Sequence, residues 1–123
     1  MANVILVIED DPDQRRLMER TLATSGHRIL TASDGQTGVE TALAIQPKLI
    51  ILDVMMPRMN GYQAARALRQ NPLTAAIPIL MVTTKQEPAD EFWASQVGAN
   101  GFLTKPVDIA ALIQTVNRLT GTA

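Results

Sequence analysis

Short, nearly unbroken apolar runs alternate along the chain with longer stretches in which apolar residues return every three or four positions. The runs are Val4–Ile8, Ile29–Ala32, Leu49–Leu52, Ile77–Val82 and a weaker Gly101–Leu103. Their Val, Ile and Leu content, with little polar alternation, suits parallel strands covered on both faces. The stretches between them carry helix signals. Asp11 can cap a helix that starts at Pro12, places Leu17, Met18 and Leu22 on one face, and ends at Gly26 after Ser25. Asp34 can cap a second helix with Val39, Ala42 and Leu43 inward and Pro47 beyond its end. Asn60-Gly61 opens a third, with Ala64, Ala65 and Leu68 inward and Asn71-Pro72 as its stop. Pro88 lies near the start of a fourth, through Phe92, Trp93 and Val97 to Gly98. Asp108 caps the last, in which Leu112, Val116 and Leu119 recur at helical spacing, and Val107 and Leu112 occupy the two positions of a hydrophobic staple. Five strand–helix units result, and right-handed crossovers make them a doubly wound parallel α/β sheet in one domain over residues 1–123.

Composition narrows the functional classes. The chain has 123 residues, 46% of them hydrophobic, with 11 basic and 12 acidic side chains and a net charge of −1. The basic residues are scattered, so no nucleic-acid or membrane partner is expected. Cysteine is absent, which removes disulfides, thiol catalysis and thiolate metal sites. The Met1-Ala2-Asn3 start runs straight into the first apolar run, without a basic leader or cleavage site, and that run is too short to span a membrane. A cytoplasmic location is the expectation.

In open α/β sheets the chemistry lies at the carboxyl ends of the strands. Glu9, Asp10 and Asp11 follow the first run, Asp53 ends the third, Thr83-Thr84 the fourth, and Lys105-Pro106 follows the fifth. Clustered in a partly buried crevice, Glu9, Asp10 and Asp53 would repel one another, so a proton or a cation must relieve them. Hard oxygen ligands suit Mg²⁺, and Lys105 adds a second positive charge. Asp53 can then remain ionised as a nucleophile on phosphorus, with Lys105 and the Thr83 hydroxyl available to the phosphoryl oxygens. Each residue also has an ordinary role: acids after a strand cap helices, which is the whole role read for Asp11; Thr forms strands; Lys before Pro is solvated. Their joint occurrence at the ends of four strands is what singles out a site.

Those residues resemble response-regulator receiver domains. Val7-Ile8-Glu9-Asp10-Asp11-Pro12 is similar to the family's acidic-pair motif, and Leu49 to Gly61, containing Leu52-Asp53-Val54-Met55-Met56-Pro57, to its phosphorylation-site motif. Met81-Val82-Thr83-Thr84 and Gly101-Phe102-Leu103-Thr104-Lys105-Pro106 resemble its switch-threonine and lysine motifs. The resemblance covers essentially the whole chain. The stretch from Thr83-Thr84-Lys85-Gln86-Glu87 to Phe92-Trp93 also resembles stand-alone regulators of twitching and chemotaxis-like systems. The family implies a flavodoxin-like (βα)5 fold with strand order 2-1-3-4-5. It implies Asp53 as phosphoacceptor, charged by a histidine kinase or phosphotransfer protein. Asp10 and Asp53 would ligate Mg²⁺ directly, Glu9 through water, and Met55 through its backbone carbonyl. Lys105 would pair with the carboxylate and then the phosphoryl group, and the Lys105-Pro106 bond would be cis. Thr83 and Phe102 would form the switch, and Met55 and Lys85 would set the lifetime of the phosphorylated state. Output would pass to a downstream protein through the fourth helix, fifth strand and fifth helix, because the chain ends soon after the fifth helix; whether it stands alone or belongs to a longer chain is left open. Such a protein catalyses only its own phosphorylation and dephosphorylation and is no turnover enzyme.

Two departures stand out: Phe102 where many relatives carry Tyr, which removes a hydroxyl, and a Glu-Asp pair in place of Asp-Asp. Competing classes fit less well. A flavin module would need a Gly/Ser/Thr-rich phosphate loop where Glu9-Asp10-Asp11 stands. A haloacid-dehalogenase-type phosphatase would want a carboxylate where Met55 stands. A phosphorylation-independent module would normally lack one of Asp10, Asp53 or Lys105. His27 is read as a surface residue, Tyr62 as partly exposed packing, and the methionines as filling.

Overall fold

The computed structural model describes residues 3–84 and 88–121. Strands and helices alternate as β1 (Val4–Ile8), α1 (Pro12–Ala23), β2 (Arg28–Ala32), α2 (Gly35–Ile45), β3 (Leu49–Asp53), α3 (Gly61–Gln70), β4 (Ile79–Thr83), α4 (Pro88–Gln96), β5 (Gly101–Thr104) and α5 (Ile109–Thr120). All strand pairings are parallel, in the order β2-β1-β3-β4-β5.

The unbroken apolar runs follow from burial on both faces. Alternate residues of a strand point to opposite sides. Leu6 and Ile8, Ile50 and Leu52, and Ile79 and Met81 pack with Ala42 of α2, Ala64, Ala65 and Leu68 of α3, and Ala94 of α4. Ile5 and Val7, Leu49 and Ile51, and Leu80 and Val82 pack on the other side with Leu22 of α1 and Leu112 and Val116 of α5. The chain thus winds one way from β1 to β2 and the other way from β3 onward. A crevice opens above the carboxyl ends of β1 and β3, where the direction reverses.

The helix caps form as the residue types predict. Asp11 accepts hydrogen bonds from the amides of Asp13 and Gln14, Asp34 from that of Thr37, and Asp108 from that of Ala111. Asn60 and Gln63 complete a reciprocal capping box.

Several sequence expectations need correction. α1 stops at Ala23 with Thr24 as its cap, and Gly26 serves instead as a left-handed turn residue (φ 86°) leading into β2. Leu17 does not join the inner face of α1; it is 59% exposed, while Leu22 alone of the three is fully buried. β4 starts at Ile79 instead of Ile77: Pro78 has no amide to donate, and the Ile79 amide is taken by the Asn100 side chain at 2.9 Å. His27 is buried, not a surface residue. Its Nε2 lies 3.3 Å from Asn117 Oδ1 on α5, a partner ninety positions away.

Candidate functional site

Four strand ends deliver the polar residues of the crevice. β1 ends at Ile8, and the next two residues turn over the edge of the sheet, where Glu9 is buried and Asp10 half-buried. Asp53 is the last residue of β3 and is buried. Lys105 follows β5, and its peptide bond to Pro106 is cis. Glu9, Asp10 and Asp53 each offer a carboxylate oxygen, and these atoms lie within 4.8 Å of one another. Such an all-oxygen donor set is chemically matched to a small hard divalent cation.

Lys105 reaches into the same cluster. Its Nζ forms a close ion pair with Glu9 Oε1 and lies 3.5 Å from Asp53 Oδ2. The Met55 amide donates to Asp53 Oδ1 at 3.2 Å, and the Asp11 amide to Glu9 Oε2 at 3.3 Å. Asp11 itself points to its helix and stays outside the carboxylate cluster, the capping role expected of it.

The electrostatics reflect three acids and one base sharing a partly desolvated space. Burial pushes the Glu9 carboxyl above its ordinary pKa, and Asp53 adds to this while Lys105 opposes it. Burial, then Glu9, raises Asp10. Burial alone would lower Lys105, but the Glu9 hydrogen bond and the Asp53 and Glu9 charges outweigh it and hold the ammonium protonated to higher pH. Three carboxyls facing one ammonium leave negative charge uncompensated when they ionise, the condition that favours a bound cation.

The carboxylates stand at one end of a cleft of about 620 Å³ that continues between α1 and α5 past Leu17, Met18, Val107 and Ile109. Met55, 52% exposed, and Thr84 form part of its rim. Thr83 is fully buried at the end of β4, so in this state the cleft wall there is Thr84. Phe102, on β5, is half-buried and packs against the core on the α2–α4 side of the sheet. Lys85 lies outside the described residues. On α4, Phe92 and Trp93 are 57% and 55% exposed and meet edge to face with ring centroids 5.5 Å apart. One participant went unnoticed in the sequence: Arg15 of α1 turns back, and its Nη1 donates to the carbonyl oxygens of Glu9 at 3.0 Å and Asp10 at 3.4 Å. A basic residue one turn after an N-cap was the available signal.

Comparison with known proteins identifies this arrangement. Residues 5–117 match the response regulator receiver domain family, and the chain belongs to it. It is 39% identical over 113 residues to protein PilH of Pseudomonas aeruginosa, covering 92% of this chain and 93% of that protein. It is 38% identical over 120 residues to the response regulator PleD of Caulobacter vibrioides, covering 98% of this chain but only 26% of PleD. Among solved structures, the chemotaxis protein CheY4 of Vibrio cholerae superposes with a TM-score of 0.91 at 32% identity, covering 97% of this chain and 99% of that one. The receiver domain of the sensor histidine kinase PA1611 from Pseudomonas aeruginosa, with a magnesium ion coordinated in its active-site cleft, gives 0.91 at 29% identity, covering 98% and 99%. The chain is thus a receiver of two-component signalling with the flavodoxin-like fold, a signalling module of a kind that works with histidine kinases and downstream targets. Among the described residues, no helix is long and apolar enough to cross a membrane.

Proposed function

We propose that Asp53 is the phosphoacceptor of this receiver and takes a phosphoryl group, with Mg²⁺, from a histidine kinase or phosphotransfer protein. The observation that carries this reading is the convergence of Glu9, Asp10, Asp53 and Lys105 on one cleft from three different strand ends. Asp10 and Asp53 would hold Mg²⁺ directly, with the Met55 carbonyl, and Glu9 would do so through water. When bound, the ion supplies positive charge that offsets the carboxylates and the transferring phosphoryl oxygens.

The chain's own groups do the rest. The Met55 amide orients Asp53 by holding Oδ1. An Asp53 oxygen attacks phosphorus, the bond from phosphorus to the donor's imidazole nitrogen breaks, and an aspartyl phosphate results. Lys105, already 3.5 Å from Asp53 Oδ2, exchanges its Glu9 partner for the new phosphoryl oxygens. Thr83 then turns its hydroxyl toward the phosphoryl group and leaves space for Phe102 to move further inward. The surface formed by α4, β5 and α5 changes shape, and a downstream protein that binds the two states unequally reads the change. Exposed Phe92 and Trp93 on α4 supply that surface with aromatic contacts. The protein modifies itself and does not turn over substrate.

Mass spectrometry after incubation with acetyl phosphate and Mg²⁺ tests the assignment. One phosphoryl equivalent is expected on the parent and none on Asp53→Asn, because an amide is a poor nucleophile. Beryllofluoride bound at Asp53 should also change Trp93 fluorescence. Uptake of one equivalent by Asp53→Asn would overturn the phosphoacceptor, and an unchanged Trp93 signal with the mimic bound would overturn the output surface.

A further inference from the structure

We propose that Arg15 is a positioning residue for the acidic loop, fixing the Glu9 carboxylate through the intervening backbone and thereby setting the affinity for the divalent cation. The link from Arg15 to Glu9 is stereochemical, and its effect on the cation rests on the roles proposed above for Glu9 and Asp10. In a trans peptide the carbonyl and the amide point in opposite directions, and the Asp10–Asp11 bond is not among the cis bonds. Arg15 Nη1 lies 3.4 Å from the Asp10 carbonyl oxygen, on the α1 side. The amide on the other edge of that same peptide, Asp11 N–H, is thereby aimed back at Glu9 Oε2, 3.3 Å away. Arg15 also holds the preceding carbonyl, that of Glu9, at 3.0 Å. Two consecutive peptide planes are therefore gripped from behind by one guanidinium.

On the front, Glu9 is bound by Lys105 through Oε1 and by the Asp11 amide through Oε2, so both of its oxygens are assigned. This matters more for Glu than for a shorter acid, since the extra methylene gives the carboxylate more rotamers in which to stray. Arg15 restricts that freedom without touching the cation, the role of outer partners that orient metal ligands. It has no place in phosphoryl transfer itself. Its guanidinium lies on the carbonyl side of the loop and does not line the cleft.

The test compares Arg15→Ala, Arg15→Lys and Arg16→Ala, the last removing the same charge from the same helix. Amide NMR shifts of Asp10, Asp53 and Met55 give the Mg²⁺ Kd, and hydrogen exchange of the Asp11 amide without Mg²⁺ gives a metal-free readout. Arg15→Ala should weaken Mg²⁺ binding about tenfold, in the range seen when outer ligand partners are lost, and should speed Asp11 exchange. Arg15→Lys should recover part of both, and Arg16→Ala should match the parent. Melting temperatures without Mg²⁺ should stay close together, which separates positioning from folding. A parent-like or tighter Kd in Arg15→Ala overturns the proposal, as does unchanged Asp11 exchange. Equal Mg²⁺ binding by the parent and Asp10→Asn would instead strike the metal assignment, and Asp11 exchange would still decide the role of Arg15.

Discussion

Gly61→Ala should both destabilise the fold and impair the site, and the size of each effect follows from what stands next to Gly61. The residue is buried at the first position of α3, and its amide donates to the Val54 carbonyl at 3.0 Å, which docks the helix on the segment just after Asp53. A Cβ there would lie 2.5 Å from the Asp53 carbonyl oxygen and 2.7 Å from Val54 Cα. These are backbone atoms at the strand end that carries Asp53, so no side-chain rotation can relieve the clash. Reaching an ordinary contact near 3.4 Å requires the helix and strand to part by about 0.9 Å. Overpacking of this kind costs about 1–3 kcal/mol, and the rigid partners place it toward the upper end. Alanine regains about 0.4–1 kcal/mol over glycine because its unfolded chain has less backbone entropy to lose. The net loss is about 2 kcal/mol, equivalent to a melting temperature lower by about 8 °C in a domain of this size. Displacement of Asp53 by its share of that roughly 0.9 Å should slow phosphorylation by acetyl phosphate roughly tenfold. Gly38→Ala is the control. Its Cβ would meet the side chain of Ile8, at 2.4 Å from Cδ1, so it should also destabilise but leave the phosphorylation rate near that of the parent. Thermal and urea unfolding with a parent-like m-value, together with a phosphorylation time course, decide the matter. A Gly61→Ala protein that melts within 2 °C of the parent, or that phosphorylates at the parent rate, refutes the reasoning (the 2 °C margin being about 0.5 kcal/mol by the same scaling).

Three further outcomes are expected. Mg²⁺ at ten times its Kd should raise stability by about 1.4 kcal/mol, measured as a melting shift that disappears with chelator and in Asp10→Asn. Without Mg²⁺, burial and then Glu9 raise the Asp10 pKa in the folded chain, so its contribution to stability is complete below the unfolded value and is lost as pH rises through the folded one; Asp10→Asn should therefore melt above the parent at neutral pH, with the difference closing on acidification. The phosphorylated state should decay over minutes or longer, because the flexible apolar Met55 side chain, which borders the cleft, cannot orient water and charged Lys85 cannot accept its proton; Met55→Asn with Lys85→Glu should speed phosphate loss at saturating Mg²⁺, and equal decay rates would remove both side chains from that role.

Much of this protein was legible before any folding. Val4–Ile8 and Leu49–Leu52 could be read as strands because both faces of a parallel sheet are buried and the code for that is an unbroken apolar run. Asp11, Asp34, Asn60 and Asp108 could be read as caps because the capping bond reaches only two or three residues along the chain. Glu9, Asp10, Asp53 and Lys105 could be grouped without coordinates, since each stands at the carboxyl end of a strand and the topology gathers those ends at one edge. What needed the tertiary structure were contacts between residues whose separation in sequence carries no period. His27 looks like a solitary polar residue until α5 brings Asn117 beside it. The start of β4 waits on Asn100, whose side chain takes the Ile79 amide from across the β4–β5 edge. Leu17 continues the apolar stripe of α1 in sequence, yet it borders the open cleft between α1 and α5 instead of the core. That Thr84 lines the cleft while Thr83 is buried depends on which way the pleat of β4 faces at its last residue, and a shift of one position would exchange them. Local chemistry chose the elements and their ends; packing between distant segments chose which side chains meet.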